Sequence, residues 1–216
     1  KSFLLFLCTC LVFACGYSQG NVSAFKNFGS AHVPSRTIWV WRPTALDSTK
    51  RLAVLYMQDA QMLFDANTWN GQYWRAGEIA DSLIRLKKVE PFMIVGIENA
   101  GAERHSEYCP QKPCEKILQS TGDSILQDAK RSNGNQVFKT AVRSDAYLRF
   151  IVQELKPFID KTFPTLTDAG HTAISGSSMG GLISLYAYCE YPQVFGKAAC
   201  FSTHWPVIFS NENNPF

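Results

Sequence analysis

The 216-residue sequence predicts an alternating α/β domain: a mostly parallel sheet with helices on both faces. Three observations carry this. Short, continuous apolar runs recur along the chain, as strands covered on both faces require. Amphipathic helical patterns lie between them. A Gly/Ser turn, Ile174-Ser175-Gly176-Ser177-Ser178-Met179-Gly180-Gly181, joins one apolar run directly to the next helical pattern.

The first residues carry one positive charge, then an apolar run from Phe3 to Ala14, then small or polar residues around Gly16 and Ser18. This order reads as a secretory signal peptide over 1–20, with the cut best placed before Gln19. Its apolar run falls short of the roughly 20 residues that a bilayer span takes. The alternative is a lipoprotein leader acylated at Cys15, which the bulky Phe13 disfavours. A secreted or periplasmic domain over 21–216 is therefore expected.

Within that domain, 36–42 alternates as an outer strand does, and Pro43 closes it. The stretches 51–57, 92–97, 171–175 and 197–201 read as buried strands. Helical patterns cover 74–88, with Ile79, Leu83 and Leu86 on one face, 145–161, with Leu148, Ile151, Leu155 and Ile159, and 179–188. No repeat, low-complexity block or Pro/Gly/Ser linker divides the chain, so one domain is expected. Right-handed crossovers then bring the loops after the strands to one rim, where ligands bind.

With 46% hydrophobic and 18% charged residues, the chain has material for a full core. Its net charge of +3 is spread without a basic stripe, which argues against a nucleic-acid partner. No His/Cys/Asp cluster has metal-ligand spacing, so neither metal nor organic cofactor is expected. Cys109 and Cys114 flank Pro-Gln-Lys-Pro in an apparent polar loop, which allows either a local disulfide or two free thiols. Cys189 and Cys200 read as buried small hydrophobes.

The Gly/Ser turn fits G-x-S-x-G with Ser178 at its centre, preceded by a strand and followed by a helix. That context is what a nucleophile elbow needs. Glycine at 176 and 180 leaves room for strand and helix backbones to approach, and the helix N-terminus favours negative charge beside the serine. Acyl transfer also needs two oxyanion donors: the N–H after the nucleophile, here Met179, and one from the loop after an earlier central strand. That strand is 51–57, and its loop reads Gln58-Asp59-Ala60-Gln61.

VLYMQDAQMLFD, VGIENAGAERHSEYCP, FIVQELKPFIDKTFPT and TAISGSSMGGLISLYAYCEYPQVFG, in that order, resemble the esterase family that includes esterase D, feruloyl and acetylxylan esterases, enterochelin esterases and mycobacterial mycolyltransferases. The resemblance runs from about Ser35 to Trp205. It implies an α/β-hydrolase fold and a secreted serine esterase acting on a small-molecule or carbohydrate-linked ester. It makes Ser178 the nucleophile and the N–H groups of Met179 and Gln61 the oxyanion hole. Ala60 stands where the family usually has glycine, which matters only if the loop needs a positive φ there.

Asp59, Asn99 and Arg104 would lie near the pocket mouth. The first two read as turn hydrogen-bonders and Arg104 as a solvated partner of Glu103 or Glu107. The resemblance also implies an acid and then a histidine after Ser178. Of the later residues, Glu190 sits too far along its helix, and His204, on the correct rim, has no strand-end acid before it, so it reads as pocket-lining. Glu212 lies in a polar tail. His105 could approach the site; His32 and His171 lie far from the rim. The acid and histidine are thus expected beyond Phe216, and the chain as an inactive fragment of its parent. The rival reading is a non-catalytic member of the fold that keeps the elbow as architecture.

Overall fold

The computed structural model describes residues 20–44, 50–64, 72–121, 129 and 135–207. The leader expected over 1–20, with Cys8, Cys10 and Cys15, and the tail carrying Glu212 lie outside these, apart from Gly20.

The described strands are β1 (Asn21–Phe28), β2 (Arg36–Arg42), β3 (Ala53–Gln58), β4 (Phe92–Ile97), β5 (Thr172–Ser177) and β6 (Lys197–Phe201). They form one sheet in the order β1-β2-β4-β3-β5-β6. β4, β3, β5 and β6 run parallel, with Tyr56 opposite both Val95 and Ile174, while β2 pairs antiparallel with β4 and β1 with β2. The mostly parallel sheet expected from the apolar runs is therefore present, with its antiparallel part at one side.

β1 was not legible, and β2 is consequently not the outer strand. Its residues are mostly exposed and do not alternate. It is held by main-chain pairing to β2 and by Phe25 and Phe28, whose rings meet Phe158 edge-on at 5.1 and 5.0 Å.

The helices are α1 (Ala76–Arg85), α2 (Arg104–Tyr108), α3 (Gln111–Thr121), α4 (Ser144–Arg149), α5 (Lys156–Thr162) and α6 (Met179–Glu190), with a π-helical run Phe150–Leu155 joining α4 to α5. That run ends just before Pro157, which has no N–H to give the ladder.

Strand pleating sends alternate side chains into two cores. Ile38, Val40, Val54, Tyr56, Met93, Val95 and Ile174 join Leu148, Ile151, Leu155 and Ile183 in the larger one. Trp41, Met57, Ile94, Leu63 and Ala80 form the smaller one under α1.

The helix expected over 74–88 exists, but its orientation differs from a simple reading of its apolar stripe. Ile79 and Leu86 are 52% and 61% exposed, and α1 turns Gly77 and Ala80 to the sheet. The reason is Trp41: a Cβ on Gly77 would lie 2.7 Å from its indole, so only the smallest residue fits where α1 crosses it.

The 109–114 segment is not a polar loop. Cys109 and Cys114 are buried, Cys114 lies within α3, and both are free thiols. Cys189 is exposed and Cys200 half-buried, so neither is the buried hydrophobe expected. Among the described residues no helix is long and apolar enough to cross a membrane.

Beneath α2 lies an ion pair that sequence could not assign. Arg36 makes two 2.8 Å bonds to Glu107, both side chains nearly fully buried, and its guanidinium lies over the rings of Tyr147 and Phe150. It ties the start of β2 to α2 and so fixes the loop between β4 and α2.

Candidate active site

β5 ends at Ser177 and α6 begins at Met179, leaving Ser178 alone at the turn with φ +56° and ψ −123°. A non-glycine residue rarely adopts this conformation, and holding it costs about 1–3 kcal/mol. Three main-chain bonds hold it there: Ser178 N–H donates to Phe201 O at 3.0 Å, and its carbonyl accepts from His204 and Leu182 at 3.2 Å each. The loop after β6 thus clasps the elbow.

Both elbow glycines sit in close quarters, Gly176 against main chain and Gly180 against a side chain. A Cβ on Gly176 would lie 2.5 Å from the Gly180 main chain, and one on Gly180 would lie 2.8 Å from Asp59 Oδ2. Met179 occupies the first position of α6, where the N–H has no intrahelical acceptor.

Opposite the elbow, β3 ends at Gln58 and the chain turns through Asp59, at φ +58°, into a single 3-10 turn, Ala60–Met62. The positive φ falls on Asp59 and not on Ala60, so the departure from glycine causes no backbone strain. The Ala60 methyl instead packs toward Gly96 of β4. The turn is fixed by Met62 N–H to Asp59 O at 2.9 Å and Leu63 N–H to Ala60 O at 3.2 Å. Gln61 presents its N–H in the first turn, where donors again lack helical acceptors.

Asp59, Asn99 and Arg104 form one network. Arg104 Nε and Nη2 donate to Asp59 Oδ1 and Oδ2 at 2.6 and 2.8 Å, and Asn99 Nδ2 donates to Oδ1 at 2.7 Å. Asn99 Oδ1 accepts from Gly101 N–H at 2.9 Å, and its main chain exchanges bonds with the Gln61 carboxamide at 3.0 and 3.2 Å. The expected pairing of Arg104 with Glu103 or Glu107 is therefore corrected. Glu107 is committed to Arg36, and Glu103 accepts from the Thr140 hydroxyl. Burial alone would lower the Arg104 pKa, but the Asp59 hydrogen bonds and charge reverse this and hold it above its usual value.

These groups border a cleft of about 560 Å³, whose walls include Asp59, Gln61, Asn99, Arg104, His105 and Ser178. His204 sits beside the elbow rather than along this wall; burial, then the nearby Arg104 charge, hold its pKa below the ordinary 6.5. His105 is buried on the wall, edge-on to Phe138 at 6.2 Å. His171 pairs with Asp168 at 2.8 Å, but at the start of β5, the full strand length from Ser178, roughly 20 Å at the usual rise per residue.

Two cleft residues escaped the sequence reading. Gln58 is buried, accepts from the Tyr147 hydroxyl, and keeps Nε2 buried without a hydrogen-bond partner. Its place as the last residue of β3 was the available signal. Trp74, also on the wall, lies edge-on to Phe201 at 5.9 Å and carried no signal beyond its type.

A strained serine between a parallel strand and a helix, on the rim where the β3 loop also ends, defines an α/β-hydrolase. The Putative esterase family matches residues 33–215, and the chain belongs to it. Two curated relatives from Bacillus subtilis (strain 168) are Uncharacterized protein YjcH, 23% identical over 83% of this chain and 60% of its own length, and Uncharacterized protein YbbA, 24% identical over 70% and 50%. The chain thus spans about half to three fifths of their lengths.

Similar solved structures include a ferulic acid esterase from Anaeromyces mucronatus in complex with ferulic acid, with TM-score 0.59 and 16% identity over 90% of this chain and 62% of that one. The enterobactin esterase of Shigella flexneri gives 0.56 and 18% over 87% and 38%. An IroE-like serine hydrolase from Shewanella oneidensis gives 0.58 and 20% over 85% and 51%. At these identities the likeness establishes the fold.

Proposed function

We propose that the protein is a secreted or periplasmic serine esterase that hydrolyses carboxylic esters through an acyl-enzyme on Ser178. The observation that carries this reading is the backbone at Ser178: φ +56° on a non-glycine residue, beside Gly176, where a Cβ would lie 2.5 Å from the Gly180 main chain. Such strain persists only where the surrounding structure over-determines it.

Ser178 Oγ attacks the ester carbonyl, and the new oxyanion lies between the Gln61 and Met179 N–H groups. Collapse expels the alcohol and leaves the acyl-serine. Water then releases the acid and restores the hydroxyl. The proton from Oγ passes to a histidine oriented by an acid; both are proposed to lie in the part of the relatives' length that this chain does not span. Without them, oxyanion stabilisation and binding leave about 10³–10⁴-fold over water, so the 216-residue chain is expected to be almost inactive. The polar and aromatic cleft, with the ferulic acid and enterobactin esterases among the neighbours, supports a small phenolic, siderophore or carbohydrate-linked ester as substrate.

The second reading is a binding protein that keeps the elbow as architecture, favoured by the placement of the His171–Asp168 pair at the start of β5, away from Ser178. Fluorophosphonate labelling of the full-length protein decides. Adduct on Ser178, with loss of nearly all p-nitrophenyl acetate turnover in Ser178→Ala, is expected. An unlabelled serine in folded protein, or turnover that survives the substitution, rejects the esterase reading.

A further inference from the structure

Asp59 is the meeting point of the two backbone segments that carry the proposed oxyanion donors. Its carbonyl accepts from Met62 N–H and so closes the 3-10 turn that holds Gln61. Its carboxylate rests on the first turn of α6, so close that a Cβ on Gly180 would fall 2.8 Å from Oδ2. Asp59 also sits at φ +58°, a left-handed conformation that aspartate tolerates but does not prefer. Something must hold it there.

The holding group is Arg104. Its guanidinium grips both carboxylate oxygens, at 2.6 and 2.8 Å, in the forked geometry that lysine cannot reproduce. Its own position is fixed from behind by the Tyr108 ring, 5.0 Å from the guanidinium carbon. Tyr108 belongs to α2, which the buried Arg36–Glu107 pair pins to the sheet. Asn99 adds a second restraint, bonding the same carboxylate and the Gln61 side chain.

From this arrangement we infer that Arg104 is a positioning residue: by clamping Asp59 it sets the spacing between the Gln61 and Met179 N–H groups. The inference rests on the serine-esterase reading for its effect on rate, but not for its effect on the turn. Arg104 need not touch the reacting atoms. Its removal leaves Asp59 free to leave the left-handed region, and the turn carrying Gln61 then loses its register against α6. The loss should appear in the chemical step, because a misplaced oxyanion donor weakens transition-state binding more than substrate binding.

The test compares full-length wild type with Arg104→Gln, Arg104→Lys, Asp59→Asn and the Arg104→Gln/Asp59→Asn double variant. Amide exchange at Met62 and Leu63 should quicken at least ~10-fold in Arg104→Gln, with exchange in β4 unchanged. On p-nitrophenyl acetate, kcat should fall by about 10²-fold, the size of losing one oxyanion donor, with KM within about twofold. Arg104→Lys should recover only part of this, and the double variant should lose no more than the worse single one. Unaltered exchange at Met62 and Leu63, or kcat within about threefold of wild type in a folded Arg104→Gln protein, overturns the inference. If the wild-type serine resists fluorophosphonate while exchange responds to Arg104, the esterase reading fails and the clamp stands.

Discussion

Ser178 is the residue where local backbone energy and chemistry meet. Its φ of +56° is imposed by the hydrogen bonds from the β6 loop and by close packing around Gly176 and Gly180. Alanine at 178 would keep that strain, whereas glycine would release it. Ser178→Gly is therefore expected to be more stable than Ser178→Ala by about 1 kcal/mol, the relieved strain partly offset by the greater freedom of glycine when unfolded. Urea-denaturation midpoints of the two variants measure this, and an equally stable or weaker glycine variant would show that the turn is unstrained. The motif itself was readable because three small residues in a fixed pattern have few uses between a strand and a helix. Asp59 was not readable as a hub: the chain order places it near Asn99 and Arg104 at the pocket mouth, but which groups its carboxylate bonds is set by side-chain geometry.

At the scale of elements, α2 owes its place to a pair of charges. Arg36 on β2 and Glu107 on α2 are 3% and 0% exposed at their side chains, and each satisfies the other. Glu107→Ala would leave the guanidinium buried without its carboxylate, at a cost of about 3–5 kcal/mol. Because Arg104 begins α2 and Asn99 lies in the loop before it, esterase activity should fall with stability in this variant. Chemical denaturation followed by tryptophan fluorescence gives the first quantity; a loss below about 1 kcal/mol would mean that the pair is hydrated in solution. Sequence reading offered Glu107, like Glu103, as a solvated partner of Arg104, because its charge was visible and its partner, 71 positions earlier, was not.

Across the whole molecule, protection should follow the sheet order. β3, β4 and β5 lie between neighbours and contribute Tyr56, Val95 and Ile174 to the larger core, whereas β1 is an exposed strand that, among the described residues, borders the sheet and pairs only with β2. Amide exchange of the main-chain donors in β4 is expected to be slowest and to report global unfolding, while those of β1 exchange through local opening. Equal protection of β1 and β4 would contradict this gradient. β6 borders the opposite side among the described residues, with Lys197, Ala199 and Phe201 exposed.

What the sequence determined by itself follows from short-range rules. Continuous apolar runs dictated buried strands, the 3.6-residue patterns dictated helices, and Gly-x-Ser-x-Gly between them dictated the elbow, because each depends on neighbours within a few positions. What only the tertiary structure decided depends on groups distant in the chain. β1 exists because β2 offers it hydrogen-bonding groups, not because its own residues demand a strand. α1 shows Ile79 to solvent because Trp41 lies against Gly77, where a Cβ would come within 2.7 Å of the indole. Arg104 turns to Asp59 because Glu107 is already held by Arg36, a competition between charges that becomes visible only once the sheet has brought all four together.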